Sequence, residues 1–229
     1  MSGEIYQVGH IERLPLGTTY PAIVAHVGRL LAKLPEKSEL VIDATGVGKP
    51  VFDLFVGNGI SPIGVTITGG GTETWHGRIC SVPKLTLISR VQALLHEGRL
   101  KILRTLPEAE TLVRELRDYR VEFTASGALT FNARQNAHDD TVLALACALW
   151  RLHGEGNSAG LAALYRAAHY AAEGLREPDR YVVGLDLGQA RDPTAIAVVR
   201  CSVGHHAPPQ GNTVDPEIDD EPLEDLFAR

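Results

Sequence analysis

The sequence predicts a mixed α/β domain, and three observations carry that reading. Short apolar runs at residues 40–44, 63–68 and 181–187 are bounded by turn residues and read as strands. Between them lie segments whose apolar residues recur at helical spacing. In chain order the strands come first, then helices, then strands again. The clearest strand pair therefore stands at the end of the chain.

Taken in order, residues 5–15 alternate loosely and read as a strand. Residues 21–34 read as a helix, with Pro21 near its start and Ile23, Val27, Leu30, Leu31 and Leu34 on one stripe. The strand at 40–44 runs into a turn, Thr45-Gly46-Val47-Gly48. A short helix at 50–56 follows, ended by Gly57-Asn58-Gly59. Another strand fills 63–68, and a loose Gly-rich loop covers 69–77.

Two helices come next. Residues 83–97 are closed by Gly98. Residues 107–120 carry Glu108 and Glu110 in the first turn, which suits the helix dipole, and a stripe of Leu112, Leu116 and Tyr119. Residues 121–134 read as a β-hairpin turning at Ser126-Gly127. His138-Asp139-Asp140 opens an almost wholly apolar helix at 141–152, whose alanines suit close packing on a sheet. After a break at 154–158, an Ala-rich helix at 159–175 leads to the final hairpin, with strands at 181–187 and 194–201 around a turn at 189–193. The division expected is one domain over 1–201, including a connector at 153–179, and an acidic, disordered tail at 202–229.

Bulk composition narrows the function. The net charge is −6, but the last fifteen residues hold seven of the 28 acidic residues and one of the 22 basic ones, leaving 21 of each. A neutral body with local basic patches is compatible with a nucleic-acid partner. No apolar run approaches the ~18 residues a membrane helix needs, and the N-terminus lacks the regions of a signal peptide. Cys80, Cys147 and Cys201 are far apart and odd in number, so they indicate neither a disulfide framework nor a zinc knuckle, and a reducing cytoplasm fits.

The chemistry concentrates in carboxylates. Val182-Val183-Gly184-Leu185-Asp186 sets an acid in a run too apolar for an edge strand. A lone ionised Asp is costly there unless it is paired or bound to a cation. Leu40-Val41-Ile42-Asp43 repeats the arrangement. In open α/β sheets the carboxyl ends of strands are where ligands bind. Were the two strands parallel neighbours, their carboxylates would lie side by side, and a divalent cation between them would remove the repulsion. Asp139 and Asp140 supply a third carboxylate. They lie about 100° apart around their helix, so one faces a shared site and the other is free to serve as N-cap. Giving Asp139 the cap leaves Asp140 as the ligand.

Three stretches, VVGLDLGQARDPTAIAVV, LVIDATGVGKPVFDLF and AHDDTVLALACALW, resemble the acidic motifs of the nuclease domain of phage large terminases. The resemblance covers roughly 1–152 and 180–201. It implies a ribonuclease H-like fold, a five-stranded mixed sheet flanked by helices, and a DNA endonuclease working with two divalent metals, Mg²⁺ or Mn²⁺. Carried over by position, Asp43, Asp186 and Asp140 would be metal ligands with Asp139 in support. The reaction implied is in-line attack of a metal-activated water on a phosphodiester. Lys84 is the candidate phosphate contact, and Arg134, on the hairpin that resembles the one beside terminase active sites, a candidate backbone contact. The implied setting is a phage or prophage protein in the cytoplasm of a bacterial host, acting on double-stranded DNA.

Two departures from the family stand out. The Gly-Leu-Asp-Leu-Gly strand should open the domain but ends it, so the chain reads as circularly permuted, with the strand pair closing within one chain or swapping into a dimer. No motor domain fits: Gly46-Val47-Gly48-Lys49-Pro50 has Asp43 and Pro50 where a phosphate-binding loop needs Gly and Ser or Thr. A DNA-packaging role would then take its ATPase, with a portal, from other chains. The competing readings are a Holliday-junction resolvase-like nuclease, an actin-like or sugar-kinase-like phosphotransferase, and a catalytically silent packaging module.

Overall fold

Short apolar strands need cover on both faces, and helices supply it here. A computed structural model describes residues 4–46, 48–118, 120–123, 129–132, 139–153, 169–170, 172–173, 177–188 and 192–203. Its elements are β1 (Glu4–Arg13), α1 (Tyr20–Leu31), β2 (Glu39–Asp43), α2 (Gly48–Gly57), β3 (Ile63–Thr68), β4 (Thr74–His76), β5 (Ile79–Pro83), α3 (Lys84–His96), β6 (Leu100–Ile102), α4 (Ala109–Asp118), β7 (Arg120–Phe123), β8 (Leu129–Asn132), α5 (Asp140–His153), β9 (Arg180–Asp186) and β10 (Ala195–Val203).

The main sheet has the order β4-β5-β3-β2-β9-β10-β1-β6. It is mixed: β2 runs parallel to β3 and β9, β3 to β5, and β1 to β6, while β4 and β10 run antiparallel to their neighbours. The C-terminal hairpin thus lies inside the sheet, β9 against β2 with Leu40 opposite Val183, and β10 against β1 with Val203 opposite Glu4. The expected insertion beside residues 40–43 is present within one chain.

Strand alternation sorts the core into two layers. Tyr6, Val41, Val65 and Val182 face α3, α4 and α5 through Leu87, Leu112 and Leu145. Leu40, Ile42, Val183 and Leu185 face α1 and α2 through Ile23, Val27, Val51 and Phe55. Helix α5 is buried along nearly its whole length. It is the layer's central helix, and Ala144 and Ala148 let it lie close to β9, as their small size predicts.

The sheet differs from expectation in size, with eight strands rather than five. β5 follows directly on the stretch read as a loose loop, and β4 lies within it. Pro83, expected to open a helix, is both the N-cap of α3 and the last residue of β5, opposite Thr68 of β3. The hairpin of β7 and β8 forms a separate two-stranded sheet. Its turn at Ser126-Gly127, nearly all of the Ala-rich helix at 159–175, and the acidic tail beyond Val203 lie outside the described residues. No helix among the described residues is long and apolar enough to cross a membrane. All three cysteines are free and buried.

Candidate functional site

Asp43 is the last residue of β2, and Asp186 the last of β9. Ile42 pairs with Leu185, so the parallel register carries the two aspartates to the same end of adjacent strands. Each is two residues on from a position facing the α5 layer, Val41 in β2 and Gly184 in β9, so alternation turns both acids toward that layer.

Gly184 explains how α5 reaches them. A Cβ at Gly184 would stand 2.0 Å from the Ala144 carbonyl oxygen, a contact no side chain could make. The missing side chain lets α5 lie directly on β9. The helix runs opposite to the strand: Arg180, at the start of β9, donates to the Leu152 carbonyl at 3.2 Å, and Arg151 pairs with Glu39, at the start of β2, at 2.8 Å. Asp140, one turn before Ala144, therefore sits at the Asp43–Asp186 end. The three acids are nearly inaccessible, at 8%, 6% and 8% for Asp43, Asp140 and Asp186.

Local bonds hold the constellation. The Thr45 N–H donates to Asp43 Oδ1 at 2.8 Å, and Thr45 Oγ1 accepts the Ile67 N–H at 2.9 Å, tying the turn after β2 to β3. The Asp139 carbonyl accepts the Leu143 N–H, which makes Asp139 the N-cap of α5 by its backbone. Its side chain does not fill the cap as expected. It pairs with Lys84 Nζ at 3.2 Å.

The cap comes from a residue that sequence reasoning missed. Glu115 of α4, itself buried, accepts the Thr141 N–H at 3.1 Å and takes the Thr141 hydroxyl as well. It anchors the first turn of α5 next to Asp140. Its carboxyl is pushed up by burial, against the pull of the Thr141 bonds and Arg13. A signal existed: Glu115 lies three residues after Leu112 and beside Leu116, on the apolar stripe of its helix, where an acid has no solvent.

The electrostatics are those of crowded acids. Burial pushes the Asp186 carboxyl well above its ordinary value, and the charges of Asp43, Asp140 and Asp139 push further, opposed by Lys84. Asp43 is raised too, chiefly by burial, against the Thr45 bonds and Lys84, with Asp139 adding to the rise. The Cys147 thiol, beneath them on α5, is pushed up by burial and by the Asp43 and Asp186 charges, which leaves it inert.

Crowded carboxylates in low dielectric are relieved by protons or by hard cations. Their oxygens suit Mg²⁺ or Mn²⁺ and lack the thiolate or imidazole character that softer metals prefer. The donor set fits such an ion. Among the described residues, no group of three or more His, Cys, Asp or Glu side chains is already gathered closely enough to hold one, so binding would require the carboxylates to draw together.

Of the residues singled out from sequence, Asp43, Asp186, Asp140, Asp139 and Lys84 come to one end of one layer, while Arg134 lies outside the described residues. An α/β sheet with helices on both faces and acids converging at the carboxyl ends of its central strands defines the class of nuclease-type, ribonuclease H-like domains. The family of terminase RNaseH-like domains matches residues 18–152, and the chain belongs to it. That match takes in β2, α3 and α5 but stops short of β9. No curated protein and no solved structure matches the chain.

Proposed function

We propose that this domain is a divalent-metal-dependent endonuclease acting on double-stranded DNA, with Asp43, Asp186 and Asp140 as the metal ligands. The observation that carries the reading is the convergence of three buried carboxylates from β2, β9 and α5 on one end of the sheet. When bound, the cations supply activation of the attacking water and stabilisation of the leaving oxygen. The chain's own residues do the rest. Asp43 is oriented by the Thr45 N–H, Glu115 fixes the helix turn that presents Asp140, and Asp139 holds Lys84 where its ammonium can meet a phosphate.

The test is cleavage of supercoiled plasmid by the purified chain with Mn²⁺ or Mg²⁺. Nicked and linear products are expected only with metal. Asp43→Asn and Asp186→Asn should each lose more than about a hundredfold of the rate, since changes one shell further out already reach that size. Lys84→Met should cost about tenfold. A wild type that does not cut, or aspartate variants that cut equally well, ends the nuclease reading. Family membership favours phage DNA as substrate during genome packaging, alongside a packaging ATPase and a portal. A packaging ATPase and portal that recruit no more of this chain than of an unrelated protein would remove that part.

The strand order further supports a circular permutation. β9 and β10 precede β1 in the sheet although they follow it in the chain, and Val203 already lies opposite Glu4. Rejoining the chain so that residues 177–203 run through a short turn into residue 4 should give a folded protein with the same metal response. A rejoined chain that does not fold cooperatively argues against a permuted origin.

A further inference from the structure

Away from the carboxylates, a groove of about 590 Å³ lies between the end of β6 and the outer face of α4. Ile102 and Val113 give it an apolar floor, and Arg104, Arg114 and Arg117 line it together with Glu110. All three arginines are exposed. None of them has an ion-pair or hydrogen-bond partner among the described residues. Three guanidinium groups over an apolar floor, opposed by one carboxylate, make a site for a segment that is both acidic and apolar.

We propose that this groove is the docking site for the chain's own acidic segment, residues 215–229. That segment sets Ile218, Leu223, Leu226 and Phe227 among seven acids, so it offers carboxylates to the arginines and side chains to the floor. A nucleic-acid backbone is the poorer fit, because phosphates bring nothing apolar to set against Ile102 and Val113. The reach is sufficient. β10 ends at Val203, which is opposite Glu4, while Ile102 is opposite Val8 of the same strand, so about 13 Å along and 10 Å across the sheet separate them. The eleven residues 204–214 span up to about 37 Å when extended. The inference goes beyond the nuclease reading, does not depend on it, and is tested by binding alone.

The probe is a fluorescein-labelled peptide of residues 213–229, titrated by anisotropy against the full chain. In the intact chain the attached tail competes at an effective concentration of about a millimolar, so the peptide should bind weakly. With the chain's own tail disabled by Leu226→Asp and Phe227→Asp, binding should tighten by about tenfold or more and weaken with salt. Adding Arg114→Glu and Arg117→Glu to that chain should abolish it. Both positions are exposed, and Arg104→Glu on the preceding loop gives a second, independent disruption. Equal peptide binding by the intact and tail-disabled chains overturns the proposal. So does binding that survives the arginine reversals. A short DNA duplex whose binding is lost on reversal, with no peptide binding to any chain, would assign the groove to nucleic acid and overturn it as well.

Discussion

Two acidic clusters in this molecule meet burial in opposite ways. On β1, Glu12 Oε1 takes His26 Nε2 at 2.6 Å and His10 Nε2 at 3.2 Å. Burial acts first to raise its carboxyl, but the two histidines more than reverse that and hold it below the ordinary range. At the ends of β2, β9 and α5 the sense is reversed. There burial and neighbouring aspartates raise Asp186 and Asp43, and Lys84 only partly offsets them. In the first cluster two imidazoles meet one carboxylate, and the contact joins α1 to the sheet. The second carries excess negative charge in a place from which water is nearly excluded. A carboxylate met by its own partners serves the fold; a costly crowding of carboxylates at the ends of central strands is what a cation-binding centre uses.

The largest expected effect that tests this contrast is on stability without metal. The raised carboxyl of Asp186 means that the unfolded chain ionises first as pH climbs. Metal-free stability is therefore fully present below the ordinary carboxylate range and declines as pH rises from there toward the raised value. Asp186→Asn removes that penalty and should stabilise the metal-free chain at neutral pH by about 1–2 kcal/mol, the scale of one unsatisfied buried polar group. In a melt with chelator this reads as about 2–4 °C in Tm per kcal/mol. Mn²⁺ or Mg²⁺ should raise the Tm of the wild type and leave the variant nearly unmoved. A variant that melts lower than the wild type in chelator would show that the aspartates are as well satisfied as Glu12, and the contrast would fail.

The two clusters also differ in how much of them the sequence reveals. Asp43 and Asp186 were legible because each ends an apolar run, Leu40 to Ile42 in β2 and Tyr181 to Leu185 in β9, where an ionised acid is costly. Their adjacency followed from treating the final hairpin as an inserted strand pair, and the register of Ile42 with Leu185 bears this out. The outer strands were not legible. β4 is three exposed residues, β6 is three residues long, and β5 ends on a proline that reads equally well as a helix start. β4 is too short and exposed to show an alternation, and β6 pairs with β1, distant in sequence, which local periodicity does not record. Glu115 and the His26–Glu12 contact were missed for the same reason: a cap supplied by another helix, and an ion pair between a strand and a helix, exist only after packing.

The smallest effect has the opposite sign, and it sharpens the contrast most. A glutamate whose folded value is depressed contributes stability above the ordinary glutamate value of about 4.3 and loses it as pH falls through the folded value. The side chains of His10, Glu12 and His26 are 24%, 26% and 35% exposed, so solvent screens the pairs. Glu12→Gln should therefore cost only about 0.5–1 kcal/mol near neutral pH, or about 1–4 °C in Tm. The loss should shrink toward zero below the folded value, where the wild-type carboxyl is protonated too. Melts of the metal-free wild type, Glu12→Gln and Asp186→Asn between pH 4 and 8 would carry the comparison. One substitution should lower Tm near neutrality and the other should raise it, and both differences should shrink in acid. If the Glu12 variant instead melts higher than the wild type at neutral pH, then its two histidines do not compensate the buried carboxylate. Compensation of the carboxylate would then cease to distinguish the structural cluster from the candidate metal centre.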